Sequence, residues 1–199
     1  MISAHLKPSV VKIITPFCRA LLRIGITPNA MTLFGTSIVV LGSVTLLAQG
    51  KLLAAFFVIG LALLTDLLDG TMARISQSGP SKWGSFLDST LDRIADGAVL
   101  IALSYYLLSE DKTDLFWVTL LTFAVSTLVP YTRAKAESLG IACEGGFAER
   151  PERLLILGIA GAVYIAGVEV AMTIGLWFLL ATSSLTVLQR IMKVWSATR

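Results

Sequence analysis

Apolar residues run almost unbroken through six stretches of this chain, near residues 30–48, 52–73, 86–108, 115–134, 154–168 and 170–189. Most approach the roughly 20 residues that a helix needs to cross a bilayer. Backbone in hydrocarbon must satisfy its own hydrogen bonds, so such stretches predict transmembrane helices. The fifth is the shortest, and it runs into a tight turn at Gly167-Val168-Glu169. Ahead of the first span the pattern changes. Val10, Val11, Ile13, Ile14, Phe17, Leu21 and Leu22 are interleaved with Lys12, Arg19 and Arg23. That spacing predicts a basic amphipathic helix lying in the membrane interface and bending at Pro16. No small-residue cleavage site follows residues 7–24, which argues against a cleavable signal peptide. The expected fold is an all-α integral membrane protein: an interfacial juxtamembrane helix over 1–26, then a domain of six transmembrane helices over 27–199.

Composition agrees with lipid as the solvent. The 199 residues are 55% hydrophobic and only 15% charged, against about 25% charged in soluble domains, and the mean hydropathy is +0.80. Two cysteines, Cys18 and Cys143, lie far apart in sequence without metal-binding spacing, and the sole histidine is His5. A zinc site built on imidazole and thiolate is thereby excluded, leaving hard, oxygen-preferring cations such as Mg²⁺ or Mn²⁺. The net charge of +3 matters less than where the cations fall. Lys7, Lys12, Arg19, Arg23, Arg74, Lys82, Arg133, Lys135, Arg150, Arg153, Arg190, Lys193 and Arg199 occupy one set of span ends; Lys51 and Lys112 occupy the other. By the positive-inside rule this distribution predicts a cell-membrane protein with both termini and the aspartates on the cytoplasmic side. The acidic turn Glu110-Asp111-Lys112-Thr113-Asp114 then faces outward as a solvated loop. No nucleic-acid partner is expected.

Against this background four aspartates stand out. Asp66-x-x-Asp69-Gly70-x-x-Ala73-Arg74 closes the second span, and Gly84-x-x-x-Asp88-x-x-x-Asp92 opens the third. A carboxylate at bilayer depth costs about 2.5–3.5 kcal/mol on insertion scales, so each requires compensation. Spacings of i, i+3 and i, i+4 put each pair on one helical face, and Gly79-Pro80 supplies a turn that can bring the pairs together. Four carboxylates on two antiparallel helices suit two divalent ions about 3.5–4 Å apart, an arrangement used in phosphoryl chemistry. Gly70 and Gly84 omit side chains where a helix or ligand approaches. Arg74 can meet a phosphate or pair with an aspartate. Asp96 continues the i+4 series but lies deeper and suits helix pairing better than ligation. Arg74 and Arg93 can neutralise two of the four aspartates, leaving two that need another partner.

These residues resemble the signature of the CDP-alcohol phosphotransferase family, Asp-x-x-Asp-Gly-x-x-Ala-Arg, a spacer, then Gly-x-x-x-Asp-x-x-x-Asp. The spacer here is nine residues, and the resemblance extends over the whole chain. It implies an enzyme of phospholipid synthesis that transfers a substituted phosphate from a CDP-linked donor to an alcohol, releasing CMP. By that resemblance Asp66, Asp69 and Asp88 hold the metals, and Asp92 joins them while acting as base toward the acceptor hydroxyl. Asn29, Thr32, Gly70, Ala73, Arg74 and Gly84 would line the CDP moiety. Thr27 also reads as a helix cap ahead of Pro28, with or without a nucleotide contact in the same turn.

Arg133, Lys135, Arg153 and Arg190 come from three span ends on the cytoplasmic side and form a candidate anion pocket; each also fits simple charge topology. With the Gly145-Gly146-Phe147-x-Glu149-Arg150-Pro151-Glu152-Arg153 stretch, this set looks most like family members of actinobacterial type. Those use CDP-diacylglycerol as donor and an inositol phosphate, myo-inositol 3-phosphate, as acceptor. Glycerol 3-phosphate carries the same charge and gives the alternative within the family, a phosphatidylglycerophosphate synthase. A divalent-cation transporter built on the same carboxylates is the alternative outside it. Gly158, Ala160, Gly161 and Ala162 suit a homodimer contact or packing within one bundle equally.

Overall fold

The architecture was analysed in a computed structural model, which describes residues 2–76, 79–143, 145–147 and 149–199, and only the backbone of residues 2–10 and 12. The side chains of His5, Lys7, Val10 and Lys12 lie outside this set. The described residues form eight α-helices: α1 (Ile2–Arg23), α2 (Pro28–Gly42), α3 (Leu52–Leu63), α4 (Thr65–Ile75), α5 (Lys82–Ser109), α6 (Thr113–Ser138), α7 (Arg150–Ile165) and α8 (Val170–Ala197). A π-helical turn, Ser43–Leu47, extends α2. Among the described residues, four stretches are long and apolar enough to cross a bilayer, namely Pro28–Leu47, Leu52–Ile75, Thr113–Ser138 and Val170–Ala197. The protein is a multi-pass membrane protein. α5 carries Asp88, Asp92 and Arg93 in its first half and Asp96 at its middle. α7, with 16 residues, spans only about 24 Å at 1.5 Å per residue.

The helix ends follow local rules. Thr27 caps α2, its hydroxyl accepting the Ala30 N–H at 3.2 Å with Pro28 in the first turn, as the sequence predicts. Ser81 does the same for α5, accepting the Gly84 N–H at 2.9 Å. α7 closes as foreseen around Gly167 (φ 97°), the Gly167 and Val168 amides bonding back to the Tyr164 and Val163 carbonyls, a left-handed C-terminal cap. The expected bend at Pro16 is not a break: α1 is helical throughout.

The chain forms two compact units whose boundary falls inside α5, at Val99–Leu100. In the first, α2 lies against α3 and α4 while α1 packs on α4. Thr32, Gly35, Val39 and Gly42 form the buried ridge of α2, at spacings of three and four residues. A β-carbon on Gly35 would run into the Thr65 hydroxyl, and one on Gly42 would sit 3.2 Å from Ile59 Cγ1. The two glycines let the backbones approach closely, as small residues do between membrane helices. On the other side of α4, Cys18 and Met72, both fully buried, join Met31, Ile14, Leu21, Leu22 and Leu68.

In the second unit α8 packs against α6 and α7. Six of the seven buried positions of α8, Met172, Leu176, Leu179, Ser183, Thr186 and Arg190, recur every four then three residues, the rhythm of a knobs-into-holes seam, and Val187 lies beside them. Ala160 of the small-residue stretch is consumed inside this unit, for a β-carbon on Gly175 would overlap it. The turn expected as a solvated loop does more. Lys112 Nζ donates to the Tyr164 hydroxyl at 3.0 Å and to Glu169 Oε2 at 3.1 Å, and Tyr164 meets the Tyr106 hydroxyl at 3.2 Å. The Tyr164 bond, aided by Glu169, holds the Lys112 ammonium above the usual lysine range. The clasp therefore stays charged at neutral pH and is lost only as pH rises past that elevated value.

Candidate active site

α4 begins after the turn at Leu64, which separates it from α3, so its first turn opens directly on Asp66. Asp69 follows three residues later, is 5% exposed and accepts a hydrogen bond from the Thr32 hydroxyl at 2.6 Å on Oδ2. Asp88 and Asp92 occupy the second and third turns of α5 and, like Asp66, are half-buried. The charges of Asp66 and Asp88 both act on Asp69, so the fold brings carboxylates of α4 and α5 within electrostatic reach. Arg93 Nη2 lies 3.6 Å from Asp92 Oδ2, an ion pair too long for a strong hydrogen bond.

Among the described residues, no three carboxylate, histidine or cysteine groups close tightly enough round one point to ligate a single ion. Two like charges about 4 Å apart repel by about 4 kcal/mol at an effective dielectric of about 20, so carboxylates converge only around a cation. The donors are carboxylate and hydroxyl oxygens. That donor chemistry fits a hard divalent cation.

The residues expected near a nucleotide divide. Asn29 Oδ1 would lie 3.1 Å from a β-carbon on Gly84, so the first turns of α2 and α5 meet there closely. Gly70 has nothing within 4 Å of the position a β-carbon would take, so helix packing does not account for it. Ala73 is half-buried. Arg74 is exposed, its Nε donating to the Gly70 carbonyl of its own helix at 3.0 Å. Thr32 points its hydroxyl at Asp69, a pairing across 37 residues that no local pattern announces.

In the second unit Arg133 and Arg153 both act electrostatically on Arg190, as do buried Cys143 and half-buried Glu149. Three of the four expected cations thus converge; Lys135 is exposed. Arg190, 4% exposed, is committed to the backbone: Nη1 donates to the Val129 carbonyl and Nη2 to that of Gly145 at 3.1 Å, 3.9 Å from Glu149 Oε1. A β-carbon on Gly146 (φ 144°) would lie 2.5 Å from Thr186 Cγ2. The segment before α7 is therefore held on α8 by Arg190 and Thr186, one helical turn apart. Arg133 pairs with Glu137 at 2.8 Å, whereas Arg153 is buried at 6% exposure in the first turn of α7.

The family model described as CDP-alcohol phosphatidyltransferase matches residues 25–188. The phosphatidylinositol phosphate synthase of Mycobacterium tuberculosis H37Rv is 38% identical over 191 residues, covering 94% of this chain and 87% of that protein. Its counterpart in Streptomyces avermitilis is 36% identical over 203 residues, covering 98% and 82%. Among solved structures, the M. tuberculosis enzyme with CDP-DAG bound superposes with a TM-score of 0.86 at 39% identity, over 92% of this chain and 94% of that one. The same enzyme in complex with manganese and citrate gives 0.85 at 39% identity, over 91% and 88%. With the aspartate motif on α4 and α5 and a match along most of its length, this chain belongs to the CDP-alcohol phosphatidyltransferase family.

Proposed function

We propose that the protein transfers the phosphatidyl group of CDP-diacylglycerol to myo-inositol 3-phosphate in a metal-dependent reaction, yielding phosphatidylinositol phosphate and CMP. What carries this reading is the likeness, along nearly the whole chain, to phosphatidylinositol phosphate synthases, one of which was solved both with CDP-DAG and with manganese and citrate. Family membership supports phosphoryl transfer over ion transport as the work of these carboxylates. Asp66, Asp69, Asp88 and Asp92 would hold the divalent cation or cation pair, Mg²⁺ or Mn²⁺. When bound, such cations neutralise the diphosphate and stabilise departing CMP.

The remaining chemistry belongs to the chain. The acceptor hydroxyl oxygen bonds to the lipid-side phosphorus, and the bond from that phosphorus to the oxygen leaving with CMP breaks. Asp92 takes the hydroxyl proton, as a positioned carboxylate can. Asn29, Gly70, Ala73, Arg74 and Gly84 would accommodate the nucleotide, the open space at Gly70 admitting it against the helix. Arg133, Lys135, Arg153 and Arg190 would bind the acceptor phosphate, with Arg153 buried in the first turn of α7, Arg190 also holding backbone carbonyls and Arg133 also paired with Glu137. The proposed topology is an interfacial α1 over 1–26, then six spans over 27–199, with α3 and α4 forming the second and α5 and α7 supplying the third and fifth. Both termini and the aspartates would face the cytoplasm from the cell membrane.

The test is CMP release by purified protein given CDP-diacylglycerol and Mg²⁺ with inositol 3-phosphate, glycerol 3-phosphate or free inositol. Release only with inositol 3-phosphate is expected. Release only with glycerol 3-phosphate overturns the acceptor, and release with none overturns the activity.

A further inference from the structure

Thr32 has one hydroxyl proton and two acceptors within reach, Asp69 Oδ2 at 2.6 Å and the Pro28 carbonyl at 3.1 Å. The shorter contact lies in the range of a charge-assisted O–H···O⁻ bond, roughly twice as strong as a neutral one, so the proton goes to Asp69. Both residues are buried, at 6% and 5% exposure, which keeps competing water away from the bond. The register that creates it is not adjustable. One turn further along α2, Gly35 sits against Thr65, whose own hydroxyl donates to the Ala62 carbonyl at 2.6 Å; two turns beyond that, Gly42 sits against Ile59. A slide of α2 along α3 and α4 would collide at both glycines. Across the same first turn, Asn29 rests against Gly84 at the head of α5. The opening turn of α2 therefore braces both helices that carry the aspartates.

We propose that Thr32 is a positioning residue for Asp69: its hydroxyl occupies Oδ2, fixes the carboxylate plane and presents Oδ1 to the cation. Its effect on the reaction runs through the metal and not through contact with the nucleotide. This rests on the reading of Asp69 as a metal ligand. Partners that orient a ligating carboxylate typically change metal affinity by 10–100-fold when removed.

The experiment measures Mn²⁺ binding to purified protein by the loss of the free-ion EPR signal, with neither donor nor acceptor present. Native protein should bind Mn²⁺ and Asp69→Asn should bind it far more weakly; failure of either overturns the metal reading itself. Given both, near-isosteric Thr32→Val should raise the Mn²⁺ Kd by about 10–100-fold, and Thr32→Ser, which keeps the hydroxyl, should restore it. Thr32→Ala carries the same expectation, so a folding defect in one variant does not shelter the idea. At saturating Mn²⁺ the donor KM of Thr32→Val should return to the native value. An unchanged Mn²⁺ Kd, or a raised donor KM that persists at saturating Mn²⁺, overturns the positioning role and returns Thr32 to the nucleotide.

Discussion

Asp92 is the residue on which a single proton's fate depends. Its carboxylate lies 3.6 Å from the Arg93 guanidinium in the third turn of α5, and Asn preserves its shape while removing its basicity. Asp92→Asn should lower the rate of CMP release by about 10²–10⁴, the usual worth of a general base, with the thermal unfolding midpoint in detergent close to native. Turnover at the native rate would remove Asp92 from that role. The cations divide in the same way. Truncating Arg153, buried in the first turn of α7, should raise the acceptor KM by about 10–100-fold, since a hydrogen bond to a charged group contributes about 1.5–3 kcal/mol. Arg133→Ala breaks an exposed pair with Glu137, a contact worth about 0.3–0.5 kcal/mol, and should change it far less. Equal effects on donor and acceptor KM for Arg153→Ala would refute the acceptor assignment. The aspartates were legible as a set because i, i+3 and i, i+4 spacing is a property of one helix. That Arg190 grips Val129 and Gly145 was not, because those carbonyls sit 61 and 45 residues away and every residue has one.

Between α2 and the α3–α4 pair, the decisive quantity is interhelical distance. Alanine at position 35 gains helix propensity, worth up to about 1 kcal/mol, but its methyl must displace Thr65 and approach the Ala62 carbonyl, 3.3 Å from the position it would take. Overpacking of this kind costs about 1–3 kcal/mol, and the displaced element carries Asp66 and Asp69. Gly35→Ala should therefore unfold at lower temperature and bind Mn²⁺ more weakly, whereas Gly70→Ala, with open space before it, should unfold like the native protein. A native midpoint for Gly35→Ala would show that α2 can stand off from α4 without loss. At this scale the apolar runs predicted the helices well, and Thr27 and Gly167 marked ends correctly. The runs are blind to what a glycine faces. Gly35 and Gly70 look alike in sequence, yet one is closed by Thr65 and the other is open.

Across the whole molecule, the distribution of Lys and Arg implies a sidedness that labelling can test. The native cysteines, Cys18 and Cys143, are 0% and 1% exposed and should give little background. In sealed vesicles with the native orientation, an impermeant maleimide should modify Lys51→Cys directly and Lys82→Cys only after permeabilisation. The reverse pattern would invert the topology and move the aspartates to the outer face. By itself the sequence determined the helical class, the membrane as solvent, the set of four aspartates and the hard-cation chemistry they suit. Each of these depends on residue type and on spacing within one helix, quantities local to the chain. Tertiary structure decided that Thr32 serves Asp69, that Asn29 meets Gly84, that Arg190 holds the segment before α7 and that Lys112 clasps Tyr164 and Glu169. Those pairings join residues dozens of positions apart, and they depend on how closely and in what register helices pack, which hydrophobic periodicity leaves open.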